Sequence, residues 1–170
     1  MKGIYALVFL FFSSYSPVLA FPQMQVSDIS GALPNEIVFI RSGLDHVNTV
    51  LQSDCFKNAV LASNFTENQN LSGAQIYALQ NSKVTTVKVV MYTGSWWANH
   101  ISHTIGDENE PSTVYMNRYY VKGAYMVGDN LIHEGEGHSL GFTHYHVKST
   151  SEPYGMNAIY ESCAPKVWLN

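Results

Sequence analysis

His133, Glu134, His138 and His144 are the side chains in this sequence best placed to do chemistry. Imidazole is a favoured zinc ligand, and a catalytic zinc site takes three protein ligands while keeping one position for water. A glutamate next to a ligand can take a proton from that water. All four lie in LIHEGEGHSLGFTHYH, residues 131–146. Two ligands on one helix must face the same way. The third comes from beyond the helix end, where a glycine lets the chain turn back. Gly141, between His138 and His144, stands at that point. An isolated histidine is more often a satisfied surface or core residue. On that ground His146 reads as a supporting or solvated neighbour of the third ligand, and His100 and His103 as surface residues.

The spacing departs from that of a regular helix. His133 and His138 are five positions apart. At about 100° per residue, side chains four apart lie roughly 40° from alignment and those five apart roughly 140°. Three readings follow. In the first, the extra residue is absorbed as a π-bulge at residues 135–137, eased by Gly135 and Gly137. His133, His138 and His144 then bind zinc, and Glu134 is the general base. In the second, the helix stays regular and Glu134 is itself a ligand with His138 and His144, leaving Gly135 where the base should stand. In the third, the site holds no metal. Glu136 is the other carboxylate that a base could be drawn from.

His133-Glu134 followed by H-S-L-G-F-T-H resembles the metzincin zinc signature H-E-x-x-H-x-x-G-x-x-H, with one residue added between the first two histidines. Residues 148–161, KSTSEPYGMNAIYE, are similar to the S-V-P-Y stretch of small secreted bacterial metallopeptidases, matched by Pro153 and Tyr154 with Glu152 in place of an apolar residue. The resemblance implies a small single-domain zincin-like fold with a short mixed sheet and an active-site helix. It implies zinc as cofactor and a peptide or protein as substrate. It also implies a methionine-turn role for Met156, for which a plain core methionine is the alternative; from its position Tyr154 is expected to support the oxyanion. Residues 113–121 are expected to form an edge strand on which an extended substrate pairs. Trp96 and Trp97 either line a specificity pocket or pack in the core. A catalytically inactive secreted binding protein on the same scaffold is the rival from another class, and a zinc amidase acting on cell-wall peptide is a third reading.

The elements that would hold these residues can be read along the chain. Met1-Lys2, the apolar residues 3–12 and Val18-Leu19-Ala20 read as a signal peptide over residues 1–20. Its apolar run is too short to span a bilayer, so no stable membrane insertion follows cleavage. The mature chain is expected to be secreted, extracellular or periplasmic, and there Cys55 and Cys163 are expected to pair. Residues 21–35 read as an irregular leader or short pro-segment, and residues 36–170 as the domain. Within the domain, residues 36–40 (EIVFI) read as a first strand. Ser53-Asp54 caps a helix with Cys55, Phe56, Val60 and Leu61 on one side, and Ser72 caps another carrying Ile76 and Leu79. Residues 83–93 form the clearest strand, 95–111 a long functional loop, 113–121 a strand and 124–141 a helix. Pro153 opens a last short helix. The expected fold class is α+β. A net charge of −4, with 13% of residues charged, offers no basic face for nucleic acid or for an anionic membrane.

Overall fold

The computed structural model describes residues 21–65, 71–95, 102–105, 112–138, 140 and 152–168. The expected signal peptide lies outside them. In chain order the elements are β1 (Met24–Ser30), α1 (Pro34–Leu51), α2 (Asp54–Ala62), β2 (Asn64–Phe65), β3 (Leu71–Ser72), α3 (Gly73–Ser82), β4 (Thr85–Tyr92), β5 (Ser102–Ile105), β6 (Ser112–Asn117) and α4 (Ala124–Asn130). A π-helical segment, Leu131–Gly137, continues α4, and α5 (Glu152–Cys163) precedes a 3-10 turn at Lys166–Trp168. The main sheet has four strands in the order β1-β4-β6-β5, and β2 and β3 form a small antiparallel pair. β1 and β6 run parallel to β4 on either side of it, whereas β5 runs antiparallel to β6. The architecture is therefore mixed α and β, as the sequence leads one to expect. Among the described residues, no helix is long and apolar enough to cross a membrane.

β4 is the middle of the fold because its sequence alternates. Thr85, Val87, Val89 and Met91 are buried, while the residues between them are half-buried. Val87, Val89 and Met91 join Val114 and Met116 of β6 in the core beneath α1, α4 and the π-helical segment.

The beginning of the chain differs from expectation in two places. Residues 36–40, expected as a strand, lie in the first turns of α1. Pro34 fixes the backbone at the helix start, and the Glu36 carboxylate accepts from the Leu33 N–H at 2.7 Å. Glu36, Ile40, Gly43, Val47 and Val50 are then buried at the three-to-four spacing of a helix face. Residues 21–35, expected as an irregular leader, contain β1, which is hydrogen-bonded along β4 from Met24↔Thr85 to Ser30↔Val90. Asn48 of α1 completes the pairing of Met24: Met24 N–H donates to its Oδ1 at 2.8 Å, and its Nδ2 donates to the Met24 carbonyl at 2.9 Å. This stretch is part of the folded unit, so the folded unit begins before residue 36.

Two further expectations change in the sheet. The strand expected at residues 113–121 is not an edge: β6 lies between β4 and β5, and the chain turns after Asn117. Buried Asn117 makes that stop, its Oδ1 accepting from the N–H groups of Gly94 and Tyr119 at 3.1 Å each. The loop expected over 95–111 contains β5, the outer strand on this side. Trp96, Trp97 and His100 lie outside the described residues, as does the His103 side chain.

The capped helices agree with the sequence. Ser53 Oγ accepts from Phe56 N–H at 3.1 Å, and Ser72 forms a reciprocal cap with Gln75. Phe56, Val60 and Ile76 are buried as expected, whereas Leu61 and Leu79, expected on the same apolar faces, are exposed. Cys55 of α2 is bonded to Cys163 at the end of α5, as expected, with their Cα atoms 5.7 Å apart.

The turn from β1 into α1 is tied to the ends of β4 and β6 beside it by Arg118. Its guanidinium pairs with both Glu36 oxygens, at 3.1 and 3.2 Å, and donates to the Gly31 carbonyl and to Thr93 Oγ1. Gly31 has φ +67°, and a Cβ there would lie 2.3 Å from the Met91 carbonyl oxygen. Gly31→Ala combines a left-handed backbone with a backbone clash, each costing about 1–3 kcal/mol. A fall in the denaturation midpoint at unchanged slope is the expected result.

Candidate metal centre

The helix that begins at Ala124 keeps regular α geometry as far as Asn130 and then widens for seven residues, Leu131–Gly137. In a π-helix hydrogen bonds run from i to i+5, so residues five apart sit one above the other, much as residues four apart do in an α-helix. His133 and His138 have that relation. Their ring centres are 5.6 Å apart, with the planes at 80°. The extra residue between the two histidines is thus taken up inside the helix.

The wide turn is held by what faces the sheet. Gly135 lies against β1 and β4, where a Cβ would come 3.0 Å from Met24 Cε and 3.1 Å from Val87 Cγ1. Glu136 points the same way and is 1% exposed, with Thr85 Oγ1 donating to its Oε2 at 2.7 Å. Burial pushes the Glu136 carboxyl above its ordinary pKa, opposed by Thr85, Gln80 and Lys83. It belongs to the sheet side of the helix. Glu134 instead stands with the histidines: it is buried, and its Oε2 lies 3.6 Å from His138 Nε2.

His133 is held from behind. Its Nδ1 is 3.0 Å from Oδ1 of Asn157 on α5. The Asn157 amide nitrogen donates to both the backbone carbonyl and the carboxylate of Asp129, one turn before His133. Burial lowers the His133 pKa, opposed by the Glu134 carboxylate and Asn157, and raises that of Asp129, opposed by its bond to Asn157. Sequence reading missed both residues. Asp129 is four positions before His133, a helix-face spacing that pointed to it. Asn157 carried no such signal.

The other expected residues divide. His144 and His146 lie outside the described residues, as does the Tyr154 side chain. Met156 is fully buried within α5 and packs in the hydrophobic core, so it sits on a helix and not in a turn. Among the described residues, no group of three His, Cys, Asp or Glu side chains gathers as a metal cage.

The spacing of His133 and His138 is compatible with a shared zinc. With zinc–nitrogen distances of about 2.0–2.1 Å, two imidazoles on one ion have centres roughly 5–6 Å apart. The His133–His138 pair is at that separation, and a hydrogen-bonded outer residue on a ligating histidine is the usual companion of such sites. No protein-family model, no curated protein and no solved structure matches the chain.

Proposed function

We propose that the chain is an exported zinc-dependent endopeptidase on a zincin-like scaffold, with His133, His138 and His144 as ligands and Glu134 as general base. The observation that carries this reading is the π-helical segment, which turns both imidazoles and Glu134 to one place despite the added residue. Zinc, when bound, supplies a Lewis acid that polarises the scissile carbonyl and makes water a nucleophile near neutral pH. Glu134 takes a proton from the attacking water and passes it to the leaving nitrogen. β5, the outer strand and packed near the π-helical segment, offers its backbone to an extended peptide. The Cys55–Cys163 disulfide fits an oxidising compartment.

The test is metal content. The folded chain, loaded and then dialysed against metal-free buffer, is expected to retain one zinc, and His138→Ala and His144→Ala are expected to lose it. A folded wild-type chain that takes up no zinc would end the enzyme reading and leave the binding protein on this scaffold. Full zinc occupancy without hydrolysis of any peptide library would favour that same alternative.

A further inference from the structure

Asn157 joins His133 to Asp129, and the directions of its bonds are fixed by chemistry. Both Asp129 atoms facing Asn157, a backbone carbonyl oxygen and a carboxylate oxygen, are acceptors. The amide nitrogen of Asn157 must therefore face Asp129, which turns its Oδ1 towards His133. An amide oxygen only accepts, so the proton in that 3.0 Å contact belongs to His133 Nδ1. A neutral imidazole with its proton on Nδ1 carries its lone pair on Nε2.

We propose that Asn157, oriented by Asp129, is a positioning residue that locks His133 in the Nδ1–H tautomer and so assigns Nε2 as its metal-binding nitrogen. The use of that nitrogen rests on the zinc reading above, whereas the tautomer is a property of the metal-free chain. Three elements meet in the relay: Asp129 lies in the last turn of α4, His133 within the π-helical segment and Asn157 on α5. The disulfide holds the far end of α5 to α2. Without the acceptor, the ring would relax towards the Nε2–H form that a free histidine side chain prefers, and Nε2 would have to lose a proton before it could bind a cation.

Long-range 1H–15N correlation spectra of the histidine rings in the metal-free protein report the tautomer directly, with His133→Gln supplying the assignment. Wild type is expected to show a protonated Nδ1 and a bare Nε2 on His133. Asn157→Leu, similar in volume but without the acceptor, is expected to move that population towards Nε2–H, and Asp129→Ala to move it part of the way. Zinc affinity, read by chelator competition, is expected to fall about 10–100-fold in Asn157→Leu. A wild-type His133 protonated on Nε2, or a tautomer unmoved by Asn157→Leu, would overturn the proposal. The wild-type spectrum decides the point even if Asn157→Leu does not fold. A chain that binds no zinc but shows the tautomer and its shift would retain the lock and lose only the peptidase reading.

Discussion

Glu134→Gln is expected to leave folding and zinc content as in wild type and to lower peptide hydrolysis by about 10²–10⁴-fold. The side chain keeps its size and its place beside His138, but an amide cannot take a proton from water. Glu136→Gln is the matched control, two residues along on the other side of the helix. There the Thr85 hydroxyl can donate to an amide oxygen as well as to a carboxyl. Hydrolysis is expected to stay within about threefold of wild type and stability within roughly 1 kcal/mol. The two variants together separate the sequence readings. If Glu134→Gln removes zinc, the residue is a ligand; if Glu136→Gln alone abolishes hydrolysis with zinc retained, the base has been misassigned.

Breaking the disulfide is expected to have the largest effect on stability. Cys55 and Cys163 are 108 residues apart, so their bond closes most of the domain into one loop. The chain-entropy estimate for a loop of that order is about 4–5 kcal/mol. A double Cys55→Ser, Cys163→Ser variant is therefore expected to lose a large part of the stability of a domain this size, measured as free energy of unfolding in guanidinium chloride. A loss below about 1 kcal/mol would show that packing of α5 against α2 and the π-helical segment is sufficient by itself. The variant also tests the relay, because α5 carries Asn157. Histidine spectra of the double mutant below its unfolding transition should show a weakened Nδ1–H population on His133.

The sequence was most legible where a side chain acts on its own neighbourhood. Ser53 and Ser72 announce α2 and α3 because a cap needs only a residue and a partner three positions on. β4 is legible because β-branched residues alternate over its whole length. Residues 36–40 are ambiguous because a short apolar run fits a strand and a buried helix turn equally well, and only the later Gly43, Val47 and Val50 settle the period. β1 leaves little signal because it is an outer strand with one buried side chain, Met24, among half-buried and exposed ones. The place of β6 inside the sheet depends on β5, which lies in a loop-like stretch of sequence. At the candidate site, the closeness of His133, Glu134 and His138 is legible from residue type and spacing. Asn157 was not, because a hydrogen bond across 24 residues leaves no local pattern.

The widened turn changes what a spacing motif means. A rule that counts residues between two ligands is shorthand for an angle between two side chains, and the conversion holds for one kind of helix only. In the segment Leu131–Gly137 the conversion is different, and five steps do the work of four. On the zinc reading, the arrangement in space is then the same word in a second spelling. Inserting a residue into such a motif need not erase it, provided that glycine on the sheet side gives the helix room to swell. Removing Gly137 would, by the same logic, write the common spelling back into this chain.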